Sequence, residues 1–129
     1  VQETIDGVAE LHDAALPVGG IVVTMTRPPQ LSDEDLELAL VDNLPRSTIA
    51  AAVASAGLGS ARSKQGRGIT DALLAEAHDH ATRVRLETTE RDRINQLGRP
   101  VYELSFVPGG IDLAALYDLA ESLRQQHMA

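Results

Sequence analysis

The stretch LPVGGIVVTMTRPPQLSDEDL, from Leu16 to Leu36, carries the strongest structural signals in this 129-residue chain. A helix is expected to end at Pro17 and the glycines that follow it, because these residues stop helices. The next residues, 21–26, are mostly β-branched and almost wholly apolar at the start, which predicts a strand. Consecutive apolar residues are typical of a parallel strand that is covered on both faces. A Thr–Arg–Pro–Pro turn then leads to Ser32, whose hydroxyl can cap a helix in a capping box.

The whole chain is expected to form a single α/β unit over residues 1–129. Apolar periodicity and stop signals predict helices over residues 3–16, 32–43, 49–56 and 70–97, and from Asp112 onward. The third helix can be capped by Ser47 or Thr48. The two strands, expected to be parallel, lie near 20–26 and 101–106, so about two strands pack with about five helices. Residues 32–57 form a helical segment, and the Gly- and Ser-rich stretch 57–68 predicts a mobile loop.

The composition excludes several classes of function. A net charge of −8 and a pI of about 4.8 argue against nucleic acid as a partner, because phosphate backbones require clustered Lys and Arg. The chain has no Cys, so it holds neither disulfides nor thiolate metal sites. No apolar run approaches the roughly 20 residues of a membrane span. Together with a polar, acidic start, these features favour a cytoplasmic protein.

Two strands alone make an incomplete sheet. If the strands are parallel neighbours, at least one edge stays open unless further strands pair with it. The chain also begins at Val1 rather than at Met, and it contains no phosphate loop of the form G-x-x-x-x-G-K-[ST]. We therefore expect it to be the C-terminal part of a larger enzyme, with self-association as another way to protect the edge.

Three stretches carry a resemblance to a known family. They are VQET leading into LPVGGIVV, the Arg-bearing helix at 83–97, and PVYELSFVP with the IDL turn and the helix that follows. In this order they resemble the C-terminal part of the ArsA-type anion-transporting ATPases, the arsenical pump-driving family, which includes ATPases that target tail-anchored membrane proteins. The resemblance covers most of the chain and is weakest over residues 30–68. It implies the C-terminal portion of a P-loop NTPase-like fold.

The resemblance also implies what the larger protein does. The parent would bind ATP and Mg²⁺, form a homo- or heterodimer, and drive either anion export of the arsenite type or membrane-protein targeting. A membrane transporter or a membrane-protein client is the implied partner. The phosphate loop and the metal-binding residues belong to the N-terminal part of the family. This chain alone is therefore expected to bind neither ATP nor Mg²⁺ and to be inactive.

The exit loops of the last two strands lie beside the adenine of ATP in that family, and open α/β sheets bind ligands at this edge. Thr24 stands where the family has the Asn of a VVVN motif, and a Thr hydroxyl cannot make the bidentate contact of an amide. Ser105 replaces a Pro, and Gly110 falls where an acidic residue is common. The residues implied to lie near the base are Thr24, Met25, Arg27, Pro28, Val107, Pro108, Gly109, Gly110 and Ile111.

Other candidate groups have simpler interpretations, and no catalytic set is legible. His78 and His80 are two apart on a helix and point to different faces, which makes a poor metal pair. Glu87 and Arg91 form an i,i+4 pair on a solvated face. The basic stretch 62–67 could contact phosphate or an acidic partner, and the apolar residues of 32–57 could line a groove for a client's membrane helix. Solvation and core packing explain them more simply.

One rival function belongs to a different class. The departures at Thr24 and Gly110 favour a degenerate, nucleotide-independent interaction domain that pairs with an active ATPase subunit. A free-standing regulatory domain would require a stable monomer with a protected sheet edge.

Overall fold

A computed structural model describes residues 1–128 as a mixed α/β protein, which confirms the fold class expected from the sequence. Within this range the elements are α1 (Gln2–Asp13), β1 (Ile21–Thr26), α2 (Asp33–Leu40), α3 (Arg46–Ser55), α4 (Lys64–Asn95), β2 (Val101–Ser105) and α5 (Leu113–Gln125). The strands form one two-stranded parallel sheet.

The chain divides into two compact units. The sheet unit consists of Val1–Pro28 and the described residues from Thr88 onward, and it contains α1, both strands and α5. The helical unit, Pro29–Glu87, contains α2 and α3. Helix α4 contributes residues to both units.

The two strands pair in register from Ile21 opposite Val101 to Thr26 opposite Ser105. The ladder is interrupted between Thr24 and Thr26, where Met25 adopts a positive φ of 62°. A one-residue irregularity of this kind is a β-bulge, and bulges re-aim the chain at strand ends. The strand positions expected from the sequence are confirmed, and so is their parallel pairing.

The expected cover on both faces of β1 is wrong for the described residues. Only Ile21 is buried, whereas Val22 is 39% exposed and Met25 is 71% exposed. Helix α5 packs on β2. The apolar run reports the strand correctly, but whether it is covered depends on neighbours that the run does not specify.

The helical unit has its own core. Leu36 and Ala39 of α2 are buried with Ala81 of α4. The partly buried residues packed against them are Leu31, Leu40, Leu44, Ala77 and Val84. The Ser32 cap is present, since the Ser32 hydroxyl accepts a hydrogen bond from Asp35 N at 3.2 Å. The apolar residues of this segment thus include true core positions.

The beginning of α3 differs from the sequence expectation. The helix begins at Arg46 with Pro45 as its N-cap, and no side chain caps it. Ser47 and Thr48 lie inside the first turn, where Thr48 N donates to Pro45 O at 2.9 Å. Pro45 thus stands one residue before the first helical position, and its carbonyl oxygen accepts the first hydrogen bonds of the helix, from Thr48 N and Ile49 N. The expected Ser or Thr cap is therefore wrong.

Helix α4 begins at Lys64, six residues before the expected Thr70, so part of the predicted loop is helical. The Ser63 hydroxyl caps it by accepting from Gly66 N at 3.0 Å. A Cβ at Gly66 would overlap the carbonyl oxygen of Ser60. Glycine here permits a close backbone approach rather than breaking a helix. The buried hydroxyl of Thr70 then donates to Gly66 O at 2.8 Å.

Helix α1 ends at Asp13, earlier than the expected residue 16. Ala15 takes a left-handed φ of 59°, and Leu16 N donates to Leu11 O at 2.8 Å. This is the hydrogen bond of a Schellman-type end, which normally uses glycine. The chain therefore turns before Pro17 is reached.

Candidate functional site

The exit loops of both strands begin at the same edge of the sheet. Phe106 N donates to Thr26 O at 2.9 Å, and the Thr26 hydroxyl donates to Leu104 O at 3.3 Å. Because parallel strands end on the same side, the two groups of residues predicted to lie near a base, 24–28 and 107–111, follow neighbouring strand ends. Open α/β sheets bind ligands at this edge.

Arg27 and Phe106 join the two loops. The guanidinium carbon of Arg27 lies 4.1 Å from the centroid of the Phe106 ring, a cation–π contact. Phe106 is the sole phenylalanine of the chain and is 38% exposed. Sequence reasoning placed it at the end of the second strand without a role at the site. Its position one residue past β2, level with the end of β1, is the signal that could have identified it.

Met25 and Thr24 form the bulged end of β1. The positive φ of Met25 is uncommon for a residue other than glycine and costs about 1–3 kcal/mol. Thr24 is exposed and lies opposite Leu104 in the ladder. A solvent-accessible hydroxyl at the carboxyl end of a parallel strand can donate one hydrogen bond to a ligand and accept another from it.

The exit turn after β2 requires its glycines. Gly109 has a φ of 89° and Gly110 a φ of 98°, which side chains rarely adopt. No atom lies within 4 Å of the position that a Cβ would take at either residue. The backbone is therefore open to approach. The conformation also explains a glycine at position 110, since any side chain would be strained there.

A cavity of about 250 Å³ lies between the end of β2 and α5. It is lined by Ser105, Val107, Ala115, Asp118, Leu119 and Ser122. Ligand pockets usually occupy about 300–1,000 Å³, so this cavity is too small to enclose a nucleotide. Of the predicted site residues it includes Val107 alone. The loops at this edge can supply a rim of a larger pocket, not a complete one.

The helical unit has a cavity of about 280 Å³, which is lined by Ala39, Asp42, Leu44, Arg46, Asp71 and Leu74. An ion pair between Arg46 and Asp71 lies at this cavity. Both side chains are at least half exposed, so the pair is solvated and adds little to stability.

The two histidines of α4 make separate contacts. His78 Nδ1 lies 3.0 Å from Ala39 O and 3.1 Å from Asp42 Oδ1. His80 Nε2 accepts a hydrogen bond from Gln30 N at 3.1 Å. Among residues 1–128, no group of three or more His, Asp or Glu side chains is arranged to hold a metal ion.

Arg91 of α4 binds elsewhere than expected. Arg91 does not pair with Glu87; its Nη2 donates to Glu103 Oε2 of β2 at 3.3 Å. The same groups approach to 2.6 Å at Nε and Oε1, where they form an ion pair without hydrogen-bond geometry. Both side chains are about one-third exposed, so this pair is less solvated than a surface pair. Arg91 therefore pairs with a residue of the neighbouring strand and not with the glutamate four positions before it in the helix.

In the basic stretch 62–67, Arg67 Nη1 donates to Arg62 O at 2.7 Å. Lys64 is the first residue of α4. These contacts belong to the start of the helix, and they assign no ligand to the stretch.

Exposed charge on α5 shifts two pKa values. The hydrogen bonds from Arg124, and more weakly from Gln125, lower the pKa of the Glu121 carboxyl. The same hydrogen bond to Glu121 raises the pKa of Arg124. Both side chains are solvated, so this is a surface pair away from the strand ends.

None of the helices within residues 1–128 is both long and apolar enough to cross a membrane.

The fold and the open carboxyl edge of its sheet indicate the class of protein. A mixed α/β unit with parallel neighbouring strands is consistent with part of a P-loop NTPase-like fold. The chain is similar to ATPase BagA of Mycobacterium tuberculosis, with 33% identity over 126 residues, which is 98% of this chain and 36% of that relative. A protein of Mycobacterium bovis that is provisionally named an ATPase matches with the same identity and coverage. No protein-family model matches the chain.

The chain is thus a relative of proteins named ATPases. It spans about a third of the length of these relatives.

Proposed function

We propose that the chain is the C-terminal region of an ArsA-like ATPase. The parent couples ATP hydrolysis to export of an arsenite-type anion or to targeting of membrane proteins. The observation that carries this proposal is the side-by-side arrangement of the two exit loops, joined by Arg27 and Phe106. The similarity to proteins named ATPases supports it. The chain has no phosphate loop, so it should not hydrolyse ATP alone.

In this proposal the edge contributes one rim of the adenine pocket. Thr24 offers a single hydroxyl, and the open backbone at Gly109 and Gly110 offers amides to a planar base. Arg27 and Phe106 hold the two loops together. The remaining walls come from the N-terminal part of the parent.

The other ligands and partners belong to the parent as well. No acidic or His cluster among residues 1–128 fits Mg²⁺, so this chain is assigned no step that involves the metal. The parent is proposed to be a cytoplasmic homo- or heterodimer that works with a membrane transporter or a membrane-protein client.

The test uses the longer protein. Its ATP turnover is measured first, and the Kd for ATP is then compared between the parent sequence and Thr24→Val. Removing one hydrogen bond should weaken ATP binding by roughly 2- to 10-fold. Thr48→Val makes the same chemical change at an exposed position of the helical unit and should leave the Kd unchanged. If the longer protein hydrolyses ATP and Thr24→Val leaves the Kd for ATP unaltered, the adenine base does not bind at this edge.

A second candidate function rests on the surface of α5. Leu113, Leu116 and Tyr117 are 69%, 53% and 70% exposed, and apolar patches of this kind mark protein contacts. They favour a nucleotide-independent interaction domain that pairs with an active ATPase subunit. A longer protein that shows no ATP turnover but forms a stable complex with such a subunit would establish this alternative.

A further inference from the structure

The two edges of the sheet differ in their backbone hydrogen bonds. Along a strand, the N–H and C=O groups of successive residues point alternately to opposite sides. Ile21 N donates across the sheet to Pro100 O, so the backbone groups of Val22 and Thr24 point away from β2. Phe106 N donates to Thr26 O, so the groups of Val101, Glu103 and Ser105 point away from β1.

The outer edge of β2 is closed by a side chain. Glu103 N donates to Gln126 Oε1 at 2.8 Å, and Gln126 Nε2 donates back to Glu103 O at 2.8 Å. The carboxamide of Gln126 thereby satisfies both backbone groups of Glu103, which the C=O and N–H groups of a neighbouring strand would otherwise do. Gln126 Nε2 also donates to Ser122 O at 3.1 Å, which anchors it to α5. A further strand could add here only by displacing this side chain.

The outer edge of β1 is open in the described part of the chain. The sheet contains β1 and β2 alone, so the outward groups of Val22 and Thr24 have no strand partner. The apolar run 21–23 is typical of a strand in the interior of a parallel sheet, and yet Val22 is 39% exposed. Proteins normally cover, charge or pair such an edge.

We infer that the β1 edge pairs with a further β-strand from the part of the longer protein outside this chain, and that β2 is the terminal strand of the complete sheet. The inference rests on the proposed function only in treating the chain as part of a longer protein. The relatives are about three times as long as the matched region, which provides the residues for such a strand. The closed β2 edge leaves β1 as the side of growth.

Residue-resolved hydrogen exchange of the longer protein without nucleotide tests the inference. The Val22 and Thr24 amides should exchange at least about tenfold more slowly than the outward Val101 and Ser105 amides, because only the first pair would be hydrogen-bonded. Gln126→Ala should accelerate exchange at Glu103 and leave Val22 unchanged. The reverse pattern, with protected Val101 and Ser105 and a free Val22, would overturn the inference.

Proline substitutions provide a second measurement, since proline removes an N–H and is tolerated at solvent edges but not inside a sheet. Val22→Pro should lower the melting temperature of the longer protein by several degrees relative to Val22→Ala. Val101→Pro should have the same melting temperature as Val101→Ala, since the Val101 amide faces solvent at the start of a terminal strand. Equal effects of the two prolines, relative to their alanine controls, would contradict the assignment of edges.

The remaining outcomes are also decisive. Protection of Val22 that depends on protein concentration would identify a second copy as the occupant and overturn the inference. A gene product limited to this chain would do the same. A longer protein that protects Val22 and Thr24 but hydrolyses no ATP would retain the inference and refute the proposed function.

Discussion

The helical unit and the sheet unit bury their apolar side chains to different extents. The helical unit buries Leu36, Ala39, Val53 and Ala81, together with the hydroxyl-bonded Thr70. Among the described residues of the sheet unit, only Ile21 and Ile94 reach comparable burial. Its large exposed apolar residues include Val22, Met25, Ile111, Leu113, Leu116 and Tyr117.

The difference follows from how helices and strands satisfy the hydrogen-bonding groups of their backbones. A helix makes its hydrogen bonds internally, so a few helices can bury one apolar stripe against another. A strand needs neighbours on both sides and a cover on each face. Two strands with one helix packed on β2 meet few of these requirements. The helical unit therefore buries its apolar residues more fully by itself than the sheet unit does.

The largest expected effect compares one leucine from each unit. Leu36→Ala removes a buried side chain from the core of the helical unit and should lower the free energy of unfolding by about 2–5 kcal/mol. Leu116→Ala removes a side chain that is 53% exposed and should cost less than about 1 kcal/mol. Urea unfolding of both variants measures the difference. Equal losses of unfolding free energy for the two variants of this chain would contradict the difference in burial between the two units.

The same two variants sharpen the comparison in the longer protein. If the apolar face of α5 is covered there, Leu116→Ala should become as costly as Leu36→Ala. An unchanged, small loss for Leu116→Ala would show that this face stays in solvent.

Next in size is a pair of glycines in α4. Gly66→Ala places a methyl group against the Ser60 carbonyl and should destabilise the protein by about 1–3 kcal/mol. Gly68→Ala, two residues on, meets no atom within 4 Å and should stabilise the helix by about 0.5–1 kcal/mol. Thermal unfolding followed by circular dichroism measures both. A stabilising Gly66→Ala would show that residues 60–66 are not packed as described.

A smaller effect compares the two side-chain helix caps. Ser32 caps α2 in the helical unit, and Asp112 caps α5 in the sheet unit by accepting from Ala115 N at 2.8 Å. Substituting either residue by alanine should cost its helix about 1 kcal/mol. In Ser32→Ala the loss should appear in global unfolding, because α2 is part of the core. In Asp112→Ala it should appear as faster hydrogen exchange in the first turn of α5, with little global change.

The smallest effect is a titration on α5. The hydrogen bond from Arg124 lowers the pKa of Glu121, so the stabilisation is present above the unfolded-state pKa. It is lost as the pH falls through the folded-state pKa. Arg124→Gln should return the pKa of Glu121 towards its ordinary value, and Arg124→Lys should return it only partly because the planar fork is lost. NMR titration of the Glu121 carboxyl measures both, and an unmoved pKa would show that the pair does not form in solution.

Local patterns were sufficient to predict much of the fold. The apolar run 21–26 predicted β1, and the Ser32 cap was predicted because capping depends on residues three apart. Gly66 was misinterpreted as part of a loop, since a sequence does not distinguish a glycine that breaks a helix from one that permits close approach. The Pro45 start of α3 was missed because two hydroxyl residues stood nearby.

Contacts between distant residues could not be predicted. Arg91 was expected to pair with Glu87 on its own helix, but it binds Glu103, and no spacing rule connects α4 to β2. The contact of Arg27 with Phe106 joins residues 79 positions apart. The common edge of the two exit loops did follow from parallel strands. That these loops contact adenine stays a prediction.

The pairing of Gln126 with Glu103 limits how copies of this chain can aggregate. Fibres that grow by strand addition require two open edges on every subunit, because each new strand must offer an edge to the next. At the β2 edge the carboxamide occupies the central outward residue, Glu103, so we expect association through the sheet to end when two β1 strands have met. We expect loss of this single amide to free both edges, so that copies of the chain could add one after another.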